Sequence, residues 1–311
     1  MIQVEHLTRR YGALTAVDDV SFDIAPGEVV GLLGHNGAGK TTIMKMITGY
    51  LEPSAGSVRV DGLEVGLHRR AVQQRIGYLP ENCPVWPEMT VIDYLDFQAA
   101  LHGVPASRRA QAVARAMART ALKDKATAAI QTLSRGYRQR VGVAQALLHD
   151  PAIVILDEPT NGLDPTQILH MRELIAELAR QATVIVSTHI LQEVQASCER
   201  VLIMRAGRLV LDARLTDLQR GDGLLVRAEG DVAAALRELP AVQEVRAEPG
   251  EASPPCWCVQ APIEAAAAVA DALVRAGVRL HALQPRQRDL ETVFAEVNGL
   301  VSDTVREVNH A

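Results

Sequence analysis

The sequence predicts an α/β fold. A mostly parallel sheet carries helices on its faces and is joined to an antiparallel β portion, a helical insertion and a small α+β unit. Three observations predict this. Short continuous apolar runs at 29–33, 153–156 and 182–187 end in polar or glycine-rich stretches and lead into helical periodicity, as buried parallel strands do. Between the first and second runs, residues 91–149 hold apolar positions at helical spacing. Beyond Gly221 the patterns run β-α-β-β-α-β.

Taken in order, residues 2–6 and about 20–24 read as strands of the antiparallel portion, with Tyr11-Gly12 between them. Pro26-Gly27 marks a turn, the 29–33 strand follows, and 40–50 reads as a helix. Residues 56–62 suggest a strand and turn, and 73–80 a further short apolar segment. Pro80, Pro84 and Pro87 then shape a surface loop. Helices are expected over 91–101, 106–123 and 133–149, the last capped by Ser134. The 153–156 strand ends in Asp157 and Glu158, a helix covers 166–180, and the 182–187 strand ends in Thr188-His189. A helix from 190 and strands at 201–204 and 208–212 close a first domain of residues 1–220, whose helical subdomain spans about 85–150. The accessory domain, 221–311, reads as strands at 224–229, 242–247, 257–261 and 278–284 with helices at 231–239, 264–276 and 289–298, compatible with a ferredoxin-like fold.

The stretch GHNGAGKTT, residues 34–42, fits G-x-x-x-x-G-K-[ST] between a strand and a helix. A phosphate needs donors converging on a closely approaching backbone. Gly34, Gly37 and Gly39 permit that approach, and the helix adds its unpaired N–H groups. Lys40 reaches the outer phosphates and Thr41 is placed to ligate Mg²⁺. A glycine-rich turn alone would not explain Lys40 and Thr41 together. Asp157 and Glu158 follow a central strand, which suits one carboxylate to metal and the other to attacking water. His189 ends a second such strand and could meet the same γ-phosphate.

The chain has 311 residues, a net charge of −5 and four cysteines, Cys83, Cys198, Cys256 and Cys258. No general basic field favours nucleic acid, so no direct nucleic-acid binding is expected. Only Cys256 and Cys258 are close, and C-x-C lacks the spacing of a structural zinc set. No secretory h-region and no uninterrupted apolar stretch of about 18 residues is present, so a cytoplasmic location without a membrane span is expected.

GHNGAGKTT, LSRGYRQR at 133–140, VILDEPT at 154–160, NGLD at 161–164 and STH at 187–189 occur in one order. In this the chain resembles the ATP-binding subunit of an ABC transporter, over about residues 1–215. The later unit, with DLETVF at 289–294, looks like the extension common in ABC-2-type exporters, and the gliding-motility and copper-processing systems are the most similar subgroups. The resemblance implies a P-loop NTPase core of the ABC ATPase type, with ATP and Mg²⁺ as ligands. It places Tyr11 on adenine, and Gly34, Asn36, Gly37, Ala38, Gly39, Lys40, Thr41 and Thr42 around the phosphates and Mg²⁺. Asp157 becomes the metal-associated acid, Glu158 the general base and His189 the γ-phosphate sensor. Ser134 and Gly136 would contact ATP held by a second copy, and Asp164 would couple the two sites of a homodimer. An ABC-2-type permease would dock near residues 81–105 and hold the protein at the inner face of the cell membrane.

Two departures stand out. The family's LSGGQ is LSRGY here, with Arg135 and Tyr137 as the changed residues. The loop glutamine that senses Mg²⁺ and the permease is Glu81, a carboxylate that can bind the metal but has no amide donor. Rival readings are a soluble ABC-type switch or nucleic-acid-associated ATPase, a general P-loop kinase, and a noncatalytic scaffold. A second cassette, a long coiled coil or a basic arm would support the first, and none is evident. The ordered LSRGY, NGLD and STH segments argue against the second, and retention of Lys40, Asp157, Glu158 and His189 against the third.

Overall fold

The computed structural model describes residues 1–248, 254–287, Leu290 and Phe294. The chain folds as two compact units, Met1–Leu215 and Thr216–Ala311. The division falls at 215/216 rather than 220/221, because the last strand of the first unit stops pairing at Arg214, opposite Arg200.

The first unit begins with strands β1 (Ile2–Tyr11), β2 (Leu14–Ile24) and β3 (Val29–Leu33), then helix α1 (Lys40–Ile47). Next come β4 (Ala55–Val60), β5 (Leu63–Glu64), α2 (Arg69–Gln73) and β6 (Ile76–Leu79). Helices α3 (Val91–Leu101), α4 (Ala106–Arg119) and α5 (Arg135–Leu147) follow. The unit closes with β7 (Ile153–Asp157), α6 (Pro165–Ala179), β8 (Thr183–Thr188), α7 (Leu191–Ser197), β9 (Arg200–Arg205) and β10 (Arg208–Arg214).

One sheet has the order β10-β9-β3-β8-β7-β6, parallel from β9 to β6 with β10 antiparallel at its edge. Every residue of β3, β7 and β8 is buried, which explains their unbroken apolar runs: helices cover both faces of a parallel sheet. A second sheet, β2-β1-β4-β5, is antiparallel. Its β1 and β2 run well past the predicted segments, through register shifts near His6 and Asp19, both at positive φ. Irregularity there breaks the two-residue alternation that would reveal strands in sequence.

α1 stops at Ile47, short of the expected Tyr50, because Gly49 takes a φ of +73° just past the C-cap Thr48. α4 likewise ends at Arg119 rather than 123: the Thr120 hydroxyl donates to the Ala116 carbonyl and Ala121 has positive φ. α3, α4 and α5 share an apolar core of Val91, Tyr94, Leu95, Val113, Met117 and Val141, among others. Tyr94 sits wholly buried there and donates to Pro84 O at 3.1 Å.

In the second unit, α8 (Leu215–Gln219) leads to β11 (Arg220–Glu229), α9 (Val232–Leu236), β12 (Glu244–Ala247), β13 (Cys256–Gln260), α10 (Ala266–Arg275) and β14 (Arg279–Gln287). The sheet order is β12-β13-β11-β14, all neighbours antiparallel. Alternate residues Leu224, Val226 and Ala228 of β11 pack with Val232 and Leu236 of α9 and Val269 and Leu273 of α10. This is the strand arrangement of a ferredoxin-like βαββαβ unit. The final helix expected over 289–298, with DLETVF, lies outside the described residues apart from Leu290 and Phe294. Among the described residues no helix is long and apolar enough to cross a membrane.

Candidate active site

Leu33, Asp157 and Thr188 end three adjacent parallel strands, so the loops beyond them open at one edge of the sheet. That edge, outside the carboxyl ends of the strands, is where open α/β sheets bind ligands. The phosphate loop leaves β3 and packs too closely for side chains at two glycines. A Cβ at Gly34 would come 2.5 Å from Met204 O, and one at Gly39, where φ is +103°, 2.6 Å from Ala16 O. Asn36 and Gly37 stand exposed at the loop tip, Ala38 is buried, and Thr41 and Thr42 are half-buried at the start of α1. Gly39 is the N-cap and offers no side-chain acceptor, so the first N–H groups of α1 lack a side-chain cap.

Lys40 is buried, and its Nζ donates to Gly34 O at 2.6 Å and lies 3.3 Å from Glu158 Oε1. Glu158 is buried too, and its Oε2 accepts from His189 Nδ1 at 2.9 Å. One carboxylate therefore links the phosphate-loop lysine to the histidine after β8. Glu158 also carries a φ of +50°, a conformation that costs a non-glycine residue on the order of 1–3 kcal/mol. Its N–H donates to Ser187 O at 3.1 Å, which anchors the turn.

Asp157 is fully buried beside it. The Ser187 hydroxyl donates to Oδ1, while Oδ2 has no hydrogen-bond partner. Burial holds this carboxyl above the usual carboxylate range, and the Ser187 and Thr41 hydroxyls act in the opposite sense. A bare buried carboxylate oxygen next to Thr41 suits a hard cation. Mg²⁺ takes one or two protein oxygens and completes its shell with water and phosphate. Among the described residues no set of three His, Cys, Asp or Glu could cage a metal. The donors present thus fit a Mg²⁺ shared with a phosphate ligand.

The remaining sequence candidates gather elsewhere. Ser134 caps α5, accepting from Tyr137 N at 3.4 Å, and Asp164 caps α6, accepting from Gln167 N at 2.9 Å. The two caps adjoin: a Cβ at Gly136 would strike the Gln167 side chain, and one at Gly162 the Arg135 guanidinium. Tyr137 turns its bulk into the helical core and is flanked by Lys125 and Arg140, each 5.5 Å from the ring centroid. Glu81 is exposed, two residues beyond Leu79, which pairs with Leu156. Tyr11 is exposed, with the Arg9 guanidinium 4.6 Å from its ring centroid. Ser187 was not among the sequence candidates. The signal was present in STH, but its link to Asp157 exists only across paired strands.

Comparison with known proteins gives the family of the chain. The ABC transporter family profile matches residues 17–161. The uncharacterised ABC transporter ATP-binding protein YhcH of Bacillus subtilis (strain 168) is 31% identical over 318 residues, covering 100% of this chain and 99% of its own. The Nod factor export ATP-binding protein I of Paraburkholderia xenovorans (strain LB400) is 36% identical over 213 residues, 68% of this chain and 70% of its own. A solved ATP-binding subunit of an ABC transporter superposes with a TM-score of 0.64 at 29% identity, covering 70% of this chain and 91% of that one. The chain belongs to the ABC transporter ATP-binding proteins.

Proposed function

We propose that this chain powers an ABC-2-type exporter by binding and hydrolysing ATP between two copies of itself. The observation that carries the reading is the chain of contacts Lys40–Glu158–His189 beside Asp157, at the ends of three adjacent strands. Lys40 and the loop N–H groups hold the β- and γ-phosphates. Mg²⁺ on Thr41 and Asp157 would supply charge neutralisation on the phosphate oxygens. Glu158 takes the proton of the attacking water, and His189 holds both that carboxylate and the γ-phosphate in place. Tyr11 stacks on adenine with the ring face that Arg9 leaves open.

Ser134 and Gly136 complete the site of a second copy, and Asp164 couples the two sites. Closure on ATP and opening on hydrolysis form a ligand-biased two-state cycle. The permease meets the surface near residues 81–105, where Glu81 and Trp86 are exposed and the Trp86 and Phe97 ring centroids lie 4.8 Å apart. That partner holds the chain at the inner membrane face and provides the substrate path. The export direction is supported by the likeness to a Nod factor export ATP-binding protein.

Glu158→Gln tests the assignment. The variant should bind MgATP, form an ATP-dependent dimer in light scattering, and lose turnover by about 10²-fold or more. Turnover at the parent rate would defeat the base assignment.

A further inference from the structure

Cys256 and Cys258 lie two residues apart on β13, a central strand of the second unit's sheet. The residues between and after them, Trp257 and Val259, pack into the core that includes α9 and α10. Alternation along the strand therefore puts both cysteines on the other face, away from the two helices. Both are half-buried there, and both are free thiols. Arg227 of β11 stands directly opposite Cys256, and Arg246 of β12 directly opposite Cys258. The other two cysteines of the chain differ. Burial pushes the Cys83 thiol up to about 11 and that of Cys198 up to about 12, which keeps each protonated and inert.

Two thiols set this way are poorly placed to oxidise to each other. Along an extended strand their α-carbons are about 6.7 Å apart, at the far limit for a disulfide. An ion between them asks for less. With metal–sulfur bonds of about 2.3 Å, a linearly held ion needs sulfurs about 4.6 Å apart, a span that staggered rotamers turned towards each other can reach. The donor set then selects the ion. Among the described residues no group of three His, Cys, Asp or Glu could hold a metal, so the four ligands of a structural Zn²⁺ are not assembled here. Soft thiolates select Cu(I) among the ions that remain. Binding exchanges two S–H protons for one monovalent cation, which leaves one net negative charge on the site beside Arg227 and Arg246. We infer that Cys256 and Cys258 form a chelating site for a soft monovalent cation of the Cu(I) class, held between two thiolates on the helix-free face of this sheet. The site needs neither ATP nor a second copy of the chain.

The test uses the full, reduced chain under anaerobic conditions, with Cu(I) as the probe and a chromogenic Cu(I) chelator as competitor. The parent should take one ion per chain and release protons as it binds. Cys256→Ser and Cys258→Ser should each weaken binding by about 10²-fold or more, because the advantage of a second tethered donor is lost. Cys83→Ala combined with Cys198→Ala should leave the affinity unchanged. X-ray absorption of the loaded parent needs no variant and should show two sulfur neighbours around the ion. A parent that leaves all the Cu(I) with the chelator overturns the site. So does a Cys256→Ser, Cys258→Ser double variant that binds as tightly as the parent, or a shell of nitrogen and oxygen neighbours. One ion per two chains would make the site a bridge between copies and overturns the chelate as well.

Discussion

Glu158 Oε2 accepts from His189 Nδ1 at 2.9 Å while its other oxygen lies 3.3 Å from Lys40 Nζ. With Nδ1 committed to the carboxylate, only Nε2 of His189 is left to face a phosphate, and the imidazole plane is fixed by that bond. His189→Ala should lower ATP turnover by about 10²-fold with little change in MgATP affinity, since Lys40 and the loop N–H groups remain. Steady-state hydrolysis together with nucleotide titration separates the two quantities. A variant that loses affinity and turnover in equal measure would make His189 a binding residue only.

Ser187 orients the buried Asp157 from the neighbouring strand and leaves Oδ2 bare. Outer-shell partners of this kind typically change metal affinity by about 10–100-fold. Ser187→Ala should therefore raise the Mg²⁺ concentration needed for half-maximal hydrolysis by roughly that factor, with the maximal rate less affected. Titration of Mg²⁺ at saturating ATP checks it. An unchanged Mg²⁺ midpoint would mean that Thr41 alone suffices to position the carboxylate.

A half-buried histidine pair makes stability depend on pH. The His149 ring stacks on His102 at 4.4 Å and 6°, its Nε2 lies 3.2 Å from Ile76 O, and its buried Nδ1 has no partner. Burial, reinforced by His102, pushes His149 down from 6.5 to about 4, and burial lowers His102 as well. Because the folded pKa is depressed, the neutral ring contributes stability in full above about 6.5, and that contribution is lost as pH falls towards 4. Urea midpoints should drop between pH 7 and 5 more steeply in the parent than in His149→Gln, whose side chain cannot titrate there. Parallel pH profiles would remove His149 as the cause.

The elements legible in sequence were those whose own residues determine them. β3 and α3 have the predicted bounds because one is a continuous apolar run and the other keeps helical spacing between Thr90 and His102. The positions of Lys40 and Thr41 at the start of α1 follow from the G-x-x-x-x-G-K-[ST] spacing after β3, and those of Asp157, Glu158 and His189 from their place at or just past the ends of β7 and β8. What escaped depends on partners distant in sequence. The Ser187–Asp157 bond spans 30 residues, and the contact between Arg135 and Gly162 arises from the packing of the start of α5 on the loop before α6. The length of β1 and β2 escaped for a third reason: bulges at His6 and Asp19 interrupt the alternation on which a strand is recognised.

The phosphate loop separates two effects of adding a methyl group to glycine. Gly37 and Gly39 both have positive φ, +83° and +103°, so alanine is strained at either. At Gly37 nothing lies within 4 Å of the added Cβ, whereas at Gly39 it meets Ala16 O at 2.6 Å and Val17 Cγ2 at 3.3 Å. Gly37→Ala should therefore cost only the backbone term, on the order of 1 kcal/mol, and fold normally. Gly39→Ala must also push β2 away from the start of α1, which displaces Lys40 along with the helix. Its thermal midpoint should fall clearly below that of Gly37→Ala, and its MgATP affinity should fall with it. Equal midpoints for the two variants would show that the loop, rather than its packing on Ala16, absorbs the added methyl.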